Sequence, residues 1–314
     1  MILSILSQKK YTKMNKNRVV TYADLVRDLS ALGVQSGDIL NVKVSLSSIG
    51  MIDGGAQTLI NALVNCVGNE GTVITDSFVT CYPLPLSKAN ATVIIDSKSP
   101  SYAGALANAM IMDERSIRSD HPIQKFAAIG KYAHELMHRH TPNSYAYDVL
   151  RNLIDIGGKN LKIGSDEKVY GFGTTHVAIG SLNQRQRRRR MGVMYKDKSG
   201  QNKLFELNWS SIGCGVNKFI PKYQEAGAII SQGYVGYAPA KITDMKITYD
   251  VEIETLKKNP AYHLCESPLC ASCRLSWEFS DNTFFQYIQN NGHRLSLSLI
   301  VEAMRIQTVY KYPF

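Results

Sequence analysis

Residues 38–68 read DILNVKVSLSSIGMIDGGAQTLINALVNCVG, and this stretch decides the fold class. Residues 38–46 alternate apolar and polar side chains, the period-two signature of a strand. Gly54 and Gly55 then punctuate the chain, and residues 54–68 carry apolar side chains at helical spacing. A strand passing into a helix through small residues lets backbone N–H groups approach a ligand and turns a helix N-terminus toward an anion. The same glycines serve equally well in a plain tight turn.

Working outward, Thr21–Leu32 has Leu25, Val26, Leu29 and Leu32 at helical spacing, with Thr21 as N-cap, Asp24 in the first turn and Gly33 as the stop. Downstream, the pattern predicts a strand over 72–79, a polar loop over 82–100, a helix over 104–112 and a short strand over 125–129. Helices over 131–138 and 146–155 and a strand over 160–164 follow. Strands alternating with helices predict an α/β fold whose mainly parallel or mixed central sheet is sandwiched by helices. After residue 183 the texture becomes that of a smaller antiparallel β element, residues 183–240, with RRRRMGVMY (187–195) and KLFELNWS (203–210) as paired strands. FIPKYQEAG (219–227) then predicts a helix, AIISQGYVGYA (228–238) a strand and residues 245–259 the last long helix. The expected organisation is a flexible N-terminus (1–17), an α/β domain (18–260) and a Cys-rich C-terminal extension (261–314).

At 314 residues, 44% hydrophobic and 20% charged, the chain has the composition of a globular protein. No run approaches the roughly 18 apolar residues of a membrane span, and the apolar start precedes its charges, the reverse of a signal peptide. A cytoplasmic location with reduced thiols is expected, since six cysteines are few and three cluster at 265, 270 and 273. The net charge of +10 draws anions, whether nucleic acid, a nucleotide-containing cofactor or an acidic substrate. QRQRRRR (184–190) would place Arg185, Arg187 and Arg189 on one face of a strand and Arg188 and Arg190 on the other. Without interleaved aromatics it reads as a solvated strand before it reads as a nucleic-acid contact, so no nucleic-acid partner is expected.

Three further stretches could carry chemistry. GFGTTHVAIG (171–180) places His176 near a helix start beyond the 160–164 strand, where open α/β sheets gather ligands, and an ordinary imidazole pKa suits proton abstraction near neutrality. RSDHPIQKFAAIG (118–130) holds His121 extended before a proline. HLCESPLCASC (263–273) offers His263, Cys265, Cys270 and Cys273 as ligands for a structural zinc, although His263 and Cys265 are closer in sequence than ligand pairs usually are; free thiols are the alternative.

Taken in order, DLVRDLSALGVQSGDIL, VSLSSIGMIDGGAQTLINALVNCVGNEGTVI, RSDHPIQKFAAIG, GGKNLKIG, TTHVAIG and GAIISQGYVGYAPAKITDMK resemble the aminoglycoside 3-N-acetyltransferase family over about residues 18–258. The resemblance implies an acyl-CoA donor, normally acetyl-CoA, and an amine on a sugar-like acceptor. It implies that Ser45, Leu46, Ser47, Ser48, Gly54, Gly55 and Ala56 line the CoA channel and that His176 is the base that deprotonates the attacking amine. Family members often have His-Ser where this chain has Lys43 and Val44, and a glutamate three residues after the catalytic histidine where it has Ile179. Another acid is therefore needed: Glu206 is expected to partner the histidine, and Asp76, His121 and Asp166 to contact the acceptor. With its +10 charge, the chain is expected to prefer an anionic or nucleotide-linked amino sugar, as used in surface-polysaccharide synthesis, over a polycationic aminoglycoside. Antibiotic modification is the alternative within the class, and a non-catalytic nucleic-acid or scaffold-binding protein the alternative outside it. A homodimer is compatible with every one of these expectations.

Overall fold

The computed structural model describes residues 18–169, 171–187, 190–280 and 282–308. Expectations for residues 1–17 and for Arg188 and Arg189 lie outside the described residues. The strands are β1 (Ile39–Val44), β2 (Thr72–Asp76), β3 (Tyr82–Pro83), β4 (Ile94–Ile95), β5 (Ile117–Arg118), β6 (Phe126–Gly130), β7 (Lys159–Ile163), β8 (Met191–Lys196), β9 (Asn202–Glu206), β10 (Ile229–Val235) and β11 (Ala238–Asp244). The helices are α1 (Tyr22–Leu32), α2 (Leu46–Ile49), α3 (Gly55–Val67), α4 (Lys88–Ala91), α5 (Ala105–Met112), α6 (Ala133–Arg139), α7 (Asp148–Asp155), α8 (Thr174–Ser181), α9 (Phe219–Glu225), α10 (Met245–Lys258), α11 (Ala271–Leu275), α12 (Phe284–Asn291) and α13 (Leu297–Thr308).

Seven strands form a mixed sheet in the order β10-β11-β7-β1-β2-β6-β5. β1 runs parallel to β2 on one side and to β7 on the other, while the outer pairings are antiparallel. The parallel centre matters for function, because its carboxyl ends converge where α2 and α8 begin. A smaller sheet pairs β8 with β3 and β9 antiparallel and with β4 parallel. The stretch expected to be one antiparallel element therefore divides, with β8 and β9 in the small sheet and β10 in the large one. The expected 82–100 loop contributes β3, α4 and β4. β11 went unread because its APAKITD sequence starts with small residues and a proline instead of a clean alternation.

Both faces of the large sheet are covered. On one, Leu40, Val42, Leu161 and Ile163 pack with Leu25 and Leu29 of α1 and Leu59 and Leu63 of α3. On the other, Ile39, Ile74, Phe126 and Ala128 pack with Leu136 of α6, Leu150 and Leu153 of α7 and Val177 of α8. Fully burying each such side chain contributes about 1.5–3 kcal/mol. The start of α1 is fixed by a Thr21/Asp24 capping box and its end by Gly33 in the left-handed region, as the sequence leads one to expect. A third core joins Ala178 and Ile179 of α8 to Phe219, Tyr223, Leu256, Cys273 and Trp277, which ties the C-terminal extension to the helix that carries His176.

Candidate active site

α8 is held tightly. Its N-cap Gly173 lies against Leu150 and the Asn41 amide of β1, and a Cβ there would come within 2.4 Å of Leu150 Cδ1. At the other end, a Cβ on Gly180 would come within 2.2 Å of Tyr145 Oη, which donates a hydrogen bond to the His176 carbonyl at 3.2 Å. Glycine at these two positions lets the helix sit down on the sheet and fixes the height of His176 above it. The imidazole stacks on Tyr147, with ring centroids 4.1 Å apart and planes 11° from parallel, and retains partial exposure. Nδ1 is buried with no hydrogen-bond partner.

Burial first, and then the Lys43 cation, push the His176 pKa down to about 3, against a hydrogen bond that the imidazole donates to the Ser210 backbone. The expectation of an ordinary imidazole pKa is thereby corrected. At neutral pH the ring is uncharged, but it is too weak a base to strip a resting ammonium. It can take a proton from the far more acidic N–H that forms once the amine has bonded to a carbonyl carbon.

Around it, the carboxyl ends of the central strands carry a charged ladder. Lys43 of β1, Lys162 of β7 and Lys241 of β11 are register partners across three adjacent strands, with neighbours about 4.8 Å apart. Lys162 donates to Asp166 at 2.6 Å, Lys241 approaches the same carboxylate at 3.1 Å, and Lys43 lies 3.3 Å from Asp76. Burial pushes the Lys162 ammonium down, against Asp166; the Asp166 carboxyl, raised by burial, is carried below its usual range by Lys162 and Lys241. Two residues earlier on β1 and β7, and two later on the antiparallel β11, Asn41, Asn160 and Thr243 are hydrogen-bonded in a row, which fixes the register beneath the lysines. Of the acids expected here, Asp76 and Asp166 lie at this end of the sheet, and one Asp76 carboxylate oxygen is buried without a partner.

Two expected site residues are corrected. Glu206 of β9 is engaged by Arg190, which donates to both carboxylate oxygens, one of them at 2.7 Å, so it is committed to an arginine in the small sheet. His121 is fully buried and stacked on His140 at 4.8 Å. Its Nδ1 accepts from the backbone N–H groups of Ile123 and Gln124 at 3.3 and 2.9 Å, and burial holds its pKa at about 2. It organises the turn after Pro122 and presents no surface to an acceptor.

The acid that sequence reasoning missed is Glu252 of α10. It is fully buried beneath the start of α8, and Oε1 accepts from the hydroxyls of Thr174 at 3.1 Å and of Thr175 and Tyr223 at 2.5 Å. Burial raises its pKa to about 8 despite those three donors, so at neutrality it is mainly a neutral acid that holds the two threonines preceding His176 from below. A signal was present: Met245, Thr248, Glu252 and Leu256 recur at helical spacing on one buried face.

The segment expected to hold CoA follows β1 directly. Ser45 caps the short α2 and Ser48 Oγ donates to Ser45 Oγ at 2.8 Å. Ser47 and Gly54 are exposed, and Ser45, Leu46, Ser48, Gly55 and Ala56 are partly exposed. Gly54 and Gly55 have φ of 73° and 64°, and no atom lies within 4 Å of where a Gly55 Cβ would be, leaving open space before α3. No side chain caps α3 and no acid occupies its first turn, so its free N–H groups suit phosphate oxygens. Two clefts of about 480 and 750 Å³ lie elsewhere, one between α9 and α10, another lined by β4, the turn after His140 and the β8–β9 hairpin.

The family model of aminoglycoside 3-N-acetyltransferases matches residues 42–257, which include the end of β1, the α3 turn, α8 and the lysine ladder. This chain belongs to the aminoglycoside 3-N-acetyltransferase family. Aminoglycoside N(3)-acetyltransferase IX of Micromonospora chalcea is 26% identical over 278 residues, 76% of this chain and 94% of that protein. Aminoglycoside N(3)-acetyltransferase VIII of Streptomyces fradiae is 33% identical over 161 residues, 46% of this chain, and the match spans only 56% of that relative's length. The solved structure of AAC-IIIb in binary complex with CoASH superposes with a TM-score of 0.66 at 24% identity, covering 80% of this chain and all of that one, a likeness of fold. Among the described residues, no helix is long and apolar enough to cross a membrane.

The arginine-rich stretch has a local role. The Arg187 backbone N–H donates to the Ser276 carbonyl, Gln186 Nε2 donates to Ser276 Oγ at 2.9 Å, and the Glu278 N–H donates to the Arg185 carbonyl at 3.1 Å. Residues 184–187 thus clip onto the C-terminal extension, and the strand proper begins at Met191.

Proposed function

We propose that this chain transfers an acyl group, normally acetyl, from acyl-CoA to the amine of an amino sugar. The observation that carries the reading is His176, held neutral on α8 under the influence of Lys43 near the carboxyl end of β1, the strand that leads on into the small-residue turn before α3. The thioester would lie along residues 45–56 with its phosphates near the α3 N-terminus. A neutral amine attacks the carbonyl carbon, His176 takes the proton from the new ammonium, and as the C–S bond breaks that proton passes to the leaving sulfur, which departs as CoA thiol.

The acceptor is the finer part of the proposal. Lys43, Lys162 and Lys241 set three ammonium groups against the carboxylates of Asp76 and Asp166. Three ammonium groups against two carboxylates leave one positive charge in excess, which favours an acidic group on the acceptor over a further ammonium. An acceptor that carries a carboxylate or phosphate, such as an amino-sugar nucleotide, fits this ladder. The names of the relatives favour a second reading, an aminoglycoside acceptor. Thiol release from acetyl-CoA, measured across amino-sugar nucleotides and aminoglycosides, separates the two. A larger kcat/KM for an acidic acceptor is expected; a larger kcat/KM for kanamycin-type aminoglycosides would refute the acidic acceptor and leave the transfer reaction standing.

A further inference from the structure

Four of the six cysteines gather where the C-terminal extension meets the α/β domain. The sulfurs of Cys214, Cys270 and Cys273 all lie within 4.8 Å of one another, and those of Cys214 and Cys270 are 4.0 Å apart. The Cys265 thiol neighbours Cys273 and lies outside that group of three, so completing a tetrahedron requires it to move inward. A tetrahedron of sulfurs around a zinc ion, with Zn–S bonds of about 2.3 Å, has edges of about 3.8 Å. The observed separation is close to that edge and far longer than a disulfide bond.

The backbone around these thiols is built for close approach. Cys214 sits between two glycines, and the Gly213 and Gly215 N–H groups donate to His263 Nδ1 at 2.9 Å and to the His263 carbonyl at 3.0 Å. A Cβ on Gly213 would come within 2.4 Å of the His263 carbonyl oxygen, and one on Gly215 within 2.4 Å of the Leu264 carbonyl oxygen. Only glycine lets the Cys214 loop lie flush on residues 263–265. Cys270 caps α11, which carries Cys273, and the Arg274 guanidinium donates to the Cys265 carbonyl.

We infer that Cys214, Cys265, Cys270 and Cys273 form a structural zinc site that fastens the C-terminal extension to the acyltransferase core. This replaces the ligand set expected from sequence. His263 is left out because its Nδ1 accepts the Gly213 N–H and its Nε2, although buried without a partner, is not among the ligand atoms that lie within 4.8 Å of one another. The fourth ligand comes instead from the GCG turn at residues 213–215, far from the cluster in sequence. All four positions are filled by protein sulfur, so the metal has no open site for substrate and acts by holding structure. As zinc binds, the thiol protons leave to solvent. The tie reaches the active site through packing, since Cys273 and Trp277 share a core with Ala178 and Ile179 of the His176 helix.

Elemental analysis of the full chain, expressed with added zinc and purified without chelator, is expected to give about one zinc per chain. Zinc-edge X-ray absorption of the same sample is expected to show four sulfurs at about 2.3 Å and no nitrogen. Cys214→Ser should lower the retained zinc, and His263→Gln should retain it. Absence of bound metal, iron in place of zinc, nitrogen in the first shell, or zinc retained in full by Cys214→Ser would each overturn the site. Because the absorption measurement uses the unmodified chain, the inference stays testable should Cys214→Ser fail to fold.

Discussion

Replacing Glu252 by glutamine should change how the stability of this protein depends on pH. Glu252 is fully buried, its Oε1 accepts three hydroxyl hydrogen bonds, and its Oε2 is buried without a partner. Burial raises the carboxyl from its ordinary 4.5 to about 8. Between those values the unfolded chain has lost the proton that the folded chain keeps. The folded state therefore binds more protons, and stability falls as pH rises through that window, levelling off below 4.5 and above about 8. At about 1.4 kcal/mol per pH unit, the full loss has an upper bound of about 5 kcal/mol. Glutamine keeps an oxygen for the three hydroxyls and cannot ionise. Urea unfolding at pH 5, 6, 7 and 8 should show the stability difference between variant and wild type moving steadily in favour of Glu252→Gln by several kcal/mol across the series. Other titrating groups are common to both proteins and cancel. Parallel pH profiles for the two proteins would refute the assignment of a neutral buried acid beneath α8.

Because burial and Lys43 hold His176 at about 3, kcat/KM should rise with pH through the pKa of the acceptor ammonium and show no inflection near 6.5; profiles for two acceptors of different amine pKa check this, and a shared inflection near 6.5 would contradict it. Gly55→Val adds a branched side chain at φ 64°, at a cost of about 1–2 kcal/mol, and fills the open space before α3. Its KM for acetyl-CoA should rise at least several-fold with little change in KM for the acceptor; an unchanged acetyl-CoA KM would remove that turn from the donor site.

Much of the fold was legible because local rules and the tertiary structure agree. The alternation in ILNVKV, the capping box of α1 and the glycine stop after it each report one element, and each is where the sequence puts it. β11 and the short strands β3 and β4 were illegible for the opposite reason, since their pairing partners and not their own composition make them strands. The site divides in the same way. His176 and the small-residue turn announce themselves within a few residues. The lysine ladder exists only once register sets Lys43 beside Lys162 and Lys162 beside Lys241. Cys214 joins the other cysteines only through a turn laid flush on His263 and Leu264. Glu206 looked available because sequence does not show that Arg190 has already engaged it.

The most direct test of the account is the rate of CoA thiol release by His176→Ala with acetyl-CoA and the best acceptor. kcat/KM is expected to fall by about 10²–10⁴-fold, while KM for acetyl-CoA and the urea unfolding midpoint stay near wild type. A variant that keeps the wild-type rate would contradict it.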